Sequence, residues 1–351
     1  MHKFLPDKIV IQKGCENDVL SLNILKRLSR IPMEYFDGKD NKYLNQDAIV
    51  IRKYRGNFFK RCPGSPNVIC CNYYVLQNAE NCHLNCTYCF LHEYFKGKAI
   101  VVYSNIGKMF DEIDRILNKN QRRFYRVGTG EFSDSLALDD LTNFSKLIVP
   151  FFAEYHNALL ELKTKSININ NLLELEHKKR TVISWSVSPD KVIYEEESLS
   201  PLLDERLKAA RICAENGYRI GFHFDPIIYY QGWEEGYKKA VEKIFSYVPQ
   251  KEIIWISLGS FRYVPEFRNI IRQKFPQSKI IYGEHILGND GKMRYIKPLR
   301  VNIYKKMLSW IREYSKDIFV YLCMEPKEVW KKVFNLDLKK SSDLEKLFPR
   351  N

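Results

Sequence analysis

The sequence predicts an α/β protein with a largely parallel sheet, either wound open or curled into a barrel. Two observations carry this. Short apolar runs alternate with amphipathic helical stretches about six times along the chain, the rhythm of parallel sheets whose crossovers are helices. The chain has 351 residues, 45% of them hydrophobic and 28% charged, enough to bury a sizeable core. A third observation excludes a class: no stretch approaches the roughly 18 uninterrupted apolar residues of a membrane helix.

The elements follow in chain order. "KIVIQ" (8 to 12) and "AIVIRKY" (48 to 54) read as strands, with "SLNILKRLSRI" (21 to 31) as a helix between them, so the first 70 residues form a small α/β unit. "CPGSP" (62 to 66) then interrupts with Pro and Gly. Beyond it, "YYVLQ" (73 to 77) is a strand, "MFDEIDRILNKN" (109 to 120) a helix and "RFYRVG" (123 to 128) a strand. A helical stretch from Asp139 to about Glu154 follows. The strands "ALLELKT" (158 to 164), "TVISWSV" (181 to 187), "YRIGFHF" (218 to 224) and "EIIWISL" (252 to 258) continue the series. The helix "DERLKAARICAENG" (204 to 217) lies among them, with Gly217 at its stop position.

Polar residues gather where these strands end. Gly-Thr-Gly-Glu (128 to 131) follows one strand, Lys163 and Lys165 end the next, then Ser186 and Ser188, then His223 and Asp225. One polar residue at a strand end caps a helix, whereas four consecutive strand ends carrying them point to one shared pocket. In a barrel, that pocket lies at the C-terminal ends of the strands.

Charge and cysteines narrow the setting. Fifty-six Lys and Arg against 42 Asp and Glu leave a formal charge of +14. "IRKYRGNFFKR" (51 to 61) and "KNQRRFYR" (119 to 126) interleave cations with aromatic rings, and 262 to 306 is basic. Such patches suit a polyanion with exposed bases, or a plain solvated face. The opening "MHKFLPDKIVIQKG" places Asp7 and Lys8 where a signal peptide needs an apolar core, so the expected location is the cytoplasm. In that reducing compartment nine cysteines read as metal ligands or buried thiols rather than disulfides.

"NCHLNCTYCFLHEYF" (81 to 95) holds three of them, Cys82, Cys86 and Cys89, spaced C-x3-C-x2-C. A closed zinc site takes four ligands, with cysteines in C-x2-C pairs. A cuboidal 4Fe-4S cluster has four irons, and one short loop can serve three of them, leaving the fourth for a small chelating molecule.

With this loop after a strand of such a series, the sequence resembles the radical S-adenosylmethionine enzymes. Within them it resembles the spore photoproduct lyase family over about residues 55 to 310. The likeness rests on "NCHLNCTYCFL", "VVYSNIGKMF", "SDSLALDDLT", "LKTKSININNLL", "ISWSVSP", "LDERLKAARICAENGY" and "DPIIYYQGWEEGY". The resemblance implies a partial TIM-type (β/α)6 barrel over 71–260, after a small N-terminal α/β domain (1–70). A C-terminal extension (261–351) carries basic substrate-facing segments. It implies a 4Fe-4S cluster on Cys82, Cys86 and Cys89 and a S-adenosylmethionine pocket lined by Tyr88, Glu131, Ser133, Lys165 and Ser186. In this reading Glu131 holds the amino group, and glycines 128 and 130 let the backbone approach the ligand.

The implied activity is reductive cleavage of S-adenosylmethionine to a 5′-deoxyadenosyl radical that takes hydrogen from a substrate. The substrate is nucleic acid, DNA favoured, as in repair of 5-thyminyl-5,6-dihydrothymine. Asp225, Arg262, Arg294 and Tyr295 fall toward it, and a flavodoxin or ferredoxin supplies electrons. The alternatives are a radical enzyme acting on a peptide or small metabolite, and a cluster-bearing nucleic-acid-binding protein.

Two departures from the family pattern bear on mechanism. The family's hydrogen-returning cysteine falls at Glu131, just before Phe132, Ser133 and Asp134, and its relay tyrosine falls at Phe90. The expectation is a related substrate, or a substitute donor at Cys70 or Cys71, with Tyr88 retained as a catalytic phenol. Cys62, Cys70 and Cys71 otherwise read as packed thiols, and Cys15, Cys213 and Cys323 as isolated core residues.

Overall fold

The computed structural model describes residues 4–39, 41–95 and 97–350. The chain divides into two compact units, Met1–Arg61, Tyr73–Leu84 and Leu91–Val182 in the first, and Cys62–Asn72, Asn85–Phe90 and Ile183–Asn351 in the second.

In the first unit, β1 (Lys8–Gln12), β2 (Met33–Phe36) and β3 (Ala48–Arg52) are parallel, with Ile9, Val10 and Ile11 wholly buried. β4 (Phe59–Arg61) pairs antiparallel with β5 (Tyr74–Leu76). The N-terminal sheet reaches beyond residue 70: β6 (Ala79–Glu80) and β7 (Ile100–Tyr103) complete it in the order β2-β1-β3-β7-β6. β8 (Tyr125–Gly128) lies parallel to β5, and β9 (Ala158–Thr164) parallel to β8. The helix Ile106–Lys119 buries Ile106, Met109, Ile113 and Leu117, the i, i+3, i+7, i+11 stripe that makes it amphipathic. Buried Glu112 on it accepts the Phe58 and Phe59 backbone N–H groups at 2.9 and 3.3 Å.

The expected helix from Asp139 to Glu154 is two helices, Asp139–Thr142 and Ser145–Ala153. Asn143 breaks it in the left-handed conformation (φ 54°). Asp139 then takes the Ser145 backbone N–H at 2.7 Å and its hydroxyl at 2.6 Å, which starts the second helix.

β10 (Thr181–Ser186) carries the chain into the second unit. There β11 (Arg219–Ile227) is parallel to β12 (Ile253–Ser260). A small antiparallel sheet of β13 (Arg262–Tyr263), β14 (Ile286–Leu287) and β15 (Met293–Arg294) follows. β16 (Phe319–Leu322) then pairs parallel with β12. This last strand was not part of the series expected from sequence, although "IFVYLCM" (318 to 324) is an unbroken apolar run. The helix Leu203–Glu215 ends where predicted, with Gly217 at φ 83°. Among the described residues no helix is long and apolar enough to cross a membrane.

Candidate active site

The aromatic-basic stretches settle first. Phe58, Phe59, Tyr74 and Tyr125 are buried, and Arg123 lies over the Tyr74 and Tyr125 rings, 5.4 Å from each centroid. Lys60 sits 5.1 Å from the Tyr54 centroid. Those buried rings are core and the cations cover protein, so they are not a platform for nucleic-acid bases.

The residues expected at the cofactor fall in both units, and each group is held within its own. In the first unit, β8 runs into Thr129-Gly130-Glu131. A side chain at Gly130 would put its Cβ 2.9 Å from the Lys163 Cβ and backbone oxygen, and at Gly128 2.6 Å from the Tyr73 ring. These glycines therefore let the strand ends pack against Lys163 and Tyr73. Gly130→Ala should destabilise the fold by about 1–3 kcal/mol through a forced backbone shift. A denaturant midpoint unchanged from wild type would refute that.

Asp134 organises this loop. One carboxylate oxygen accepts Leu136 N, Ala137 N and the Thr164 hydroxyl at 3.0, 2.9 and 2.6 Å, and the other accepts Lys165 N at 2.7 Å. Lys165 at the end of β9 is thus tied to the segment bearing Glu131 and the buried Ser133. The Asn81 backbone N–H donates to Phe132 O at 2.9 Å, so the residue preceding Cys82 lies against the residue following Glu131. Among the described residues, no side-chain hydrogen bond or ion pair engages the half-buried Glu131 carboxylate.

In the second unit, the residues between Cys86 and Cys89 are clamped by the end of the helix Asp190–Glu196. Thr87 N donates to Glu196 O at 3.0 Å, and the Thr87 hydroxyl donates to the Glu196 carboxylate, which also accepts the Ser278 hydroxyl at 2.8 Å. Burial raises the pKa of Glu196 despite those two donors. The Tyr88 hydroxyl donates to Glu197, which also takes Ser188 Oγ at 3.0 Å and Arg206 Nη2 at 2.5 Å. Arg206 Nη1 reaches the Ser186 carbonyl at 2.9 Å, so Tyr88 and Ser186 share one buried network. Burial first, and the Glu197 charge second, hold the Tyr88 phenol far above its ordinary pKa and keep it protonated. Cys89 N donates to Cys86 O at 3.0 Å, a turn that brings these two cysteines round together.

Among the described residues, no three His, Cys, Asp or Glu side chains converge where a single metal ion could sit. A cuboidal cluster asks for another arrangement, because each thiolate takes a different iron. A loop with three thiols in eight residues, pinned through Thr87 and Tyr88, fits that donor set.

The residues expected toward substrate divide. Asp225 pairs with Arg262 through two contacts, 2.9 and 3.2 Å, with both side chains partly exposed. Arg294 is 2% exposed and its guanidinium meets Asp290 at 2.6 and 3.0 Å, with Glu325 3.7 Å away. Tyr295 is buried, its hydroxyl accepting Tyr229 N at 3.0 Å and its ring stacked 4.8 Å from His285. The polar groups of Arg294 and Tyr295 thus face protein partners. Cys70 donates its backbone N–H to Ser341 Oγ at 3.0 Å, and a Cβ on Gly64 would lie 3.1 Å from its sulfur. Cys323 is not isolated: Arg262 Nη2 donates to its sulfur at 3.4 Å, and Asp225 and Cys71 lie within electrostatic reach.

Sequence reasoning missed Glu196, Glu197, Arg206 and Cys323. Cys323 could have been found by the strand-end rule applied to "FVYLC", since it follows β16 directly.

Comparison with known proteins places this geometry. The family model for spore photoproduct lyase matches residues 68–320. A curated spore photoproduct lyase from Bacillus subtilis (strain 168) is 29% identical over 230 residues, 64% of this chain and 67% of that protein. One from Clostridium acetobutylicum is 23% identical over 296 residues, 79% of this chain and 84% of that protein. Among solved structures, a mutant spore photoproduct lyase with bound AdoMet and dinucleoside spore photoproduct aligns with a TM-score of 0.82 at 21% identity, covering 91% of this chain and 99% of that one. The spore photoproduct lyase complexed with dinucleoside spore photoproduct aligns equally well, with a TM-score of 0.82 at 20% identity. These likenesses establish the fold as that of the spore photoproduct lyase structures.

Proposed function

The chain belongs to the spore photoproduct lyase family, and from that premise we propose that it is a radical S-adenosylmethionine enzyme that repairs a thymine photoproduct in DNA. The observation that carries the reading is the clamped cysteine loop, with thiols at 82, 86 and 89 and the intervening Thr87 and Tyr88 bound to Glu196 and Glu197. Cys82, Cys86 and Cys89 would hold a 4Fe-4S cluster, which supplies the electron that cleaves S-adenosylmethionine and so starts hydrogen abstraction from the lesion.

The remaining roles belong to this chain's own side chains. Glu131 offers its carboxylate to the ammonium of S-adenosylmethionine. Ser133, Lys165 and Ser186 are the further residues that the family resemblance assigns to S-adenosylmethionine. Tyr88, held protonated, keeps a phenolic O–H beside the cluster loop. In this division of labour 71–260 carries the cofactor chemistry and 261–351 meets nucleic acid, while 1–70 supports them. A flavodoxin or ferredoxin of the cytoplasm is the proposed reductant.

The test is incubation of the reduced, cluster-loaded protein with S-adenosylmethionine and dinucleoside spore photoproduct, followed by mass spectrometry. Release of thymidine pairs is expected, and 5′-deoxyadenosine without lesion conversion overturns the reading. DNA affinity should also fall steeply with salt, because phosphate contacts release counterions.

A second prediction concerns Glu131. Glu131→Gln keeps the shape and removes a charge-assisted bond of about 1.5–3 kcal/mol, so S-adenosylmethionine should bind roughly ten- to a hundredfold more weakly. Equal affinity by equilibrium dialysis would assign Glu131 elsewhere.

A further inference from the structure

A radical made on the lesion has to be quenched by a hydrogen atom once the bond between the bases breaks. The position where the family resemblance expects a thiol holds Glu131, whose carboxylate has no weak S–H bond to give. The question is which other thiol this chain brings forward. Cys82, Cys86 and Cys89 are the proposed cluster ligands. Cys15 and Cys213 are wholly buried. Cys62, Cys70, Cys71 and Cys323 are all half-buried. Of these, Cys323 has a cation donating directly to its sulfur. It is half-buried, directly follows β16, and shares the C-terminal ends of parallel strands β11, β12 and β16 with Asp225 and Arg262.

We infer that Cys323 is the hydrogen-atom donor of this enzyme, its sulfur held by the Arg262 guanidinium. This rests on the repair reading above. Arg262 donates to the sulfur at 3.4 Å and is itself fixed by two contacts to Asp225, so the thiol has a set direction. The charges of Asp225 and Lys292 both act on the thiol. Burial, with the Asp225 charge, raises the Cys323 pKa well above its ordinary value, so the S–H bond is present at neutral pH. The intact thiol, rather than the thiolate, is what a hydrogen-atom transfer requires.

The step balances as follows. The S–H bond of Cys323 breaks homolytically, a C–H bond forms on the thymine-centred radical, and a thiyl radical remains on the sulfur. One electron from the flavodoxin- or ferredoxin-class reductant and one solvent proton restore the thiol. Phe90 has no phenolic O–H through which to hand the radical back, so each repair consumes a S-adenosylmethionine. Cys71, within electrostatic reach of Cys323, is the competing candidate.

The experiment compares wild type, Cys323→Ser, Cys323→Ala and Cys71→Ala, all cluster-loaded, on dinucleoside spore photoproduct in D2O. The thiol exchanges with solvent, so wild-type product should carry solvent deuterium in the repaired thymine. Cys323→Ser keeps the Arg262 bond but has an O–H too strong to surrender. It should retain 5′-deoxyadenosine formation and lose both clean conversion and the deuterium label. A second readout needs no turnover: Cys323→Trp, which fills the space beside Arg262, should weaken lesion binding roughly tenfold in equilibrium dialysis without S-adenosylmethionine. Labelled product from both Cys323→Ser and Cys323→Ala, loss of the label in Cys71→Ala alone, or unchanged lesion binding by Cys323→Trp overturns the assignment. Wild type that leaves the lesion untouched overturns the repair reading itself, and the assignment with it.

Discussion

Cys86→Ala is expected to yield a protein without iron–sulfur absorbance and without cleavage of S-adenosylmethionine. The loop has three thiols, and a cluster that reserves one iron for a chelating substrate has no spare protein ligand. Cys86 is 6% exposed, with its sulfur 3.9 Å from Ser200 Oγ, so no solvent ligand replaces it freely. Iron analysis after anaerobic reconstitution and the yield of 5′-deoxyadenosine check the prediction. Cys213→Ala is the matched control, since burial pushes that thiol up to about 12 and it takes no part in the loop. It should keep its colour and lose only stability. A brown, active Cys86→Ala protein would remove the cluster assignment.

The second large effect belongs to Glu197. Its carboxylate and the Arg206 guanidinium are both fully buried and 2.5 Å apart. Truncation in Glu197→Ala leaves Arg206 charged and uncompensated, with an expected loss of about 3–5 kcal/mol. Against a typical total of about 5–15 kcal/mol, that is a large share of the folding free energy. Glu197→Gln keeps an acceptor for Tyr88 or Ser188 and should lose less. Urea unfolding gives the size of the loss. A change of less than about 1 kcal/mol in Glu197→Ala would mean that Arg206 finds other acceptors, and that the pair does not anchor the cysteine loop. Because Tyr88 is on the same carboxylate, weaker S-adenosylmethionine binding in the folded Gln variant would tie that anchor to the pocket.

Much of this could be read from sequence, and the reasons are local. β1 and β9 begin and end where the apolar runs do, because strand formation follows side-chain alternation and burial over five to seven residues. The cluster ligands lie within eight residues, so spacing alone reveals them. The helix from Asp139 was misjudged at Asn143, a left-handed Asn within "LTNFSK" that ends one helix before Ser145 starts the next.

By itself, then, the sequence determined the alternation of strands and helices, the three-thiol loop and the absence of a thiol at position 131. The tertiary structure alone decided which polar residues meet. Tyr88 finds Glu197, 109 positions away, and Cys323 finds Arg262, 61 positions away. The same chain turns Arg294 inward onto Asp290, although the family resemblance had placed it toward substrate. The physical reason is that a buried charge must be compensated, and its partner is fixed by strand order and register rather than by neighbours along the chain. Local periodicity records which side of an element is dry, and only the packed sheet brings Asp225, Arg262 and Cys323 to one end of three strands.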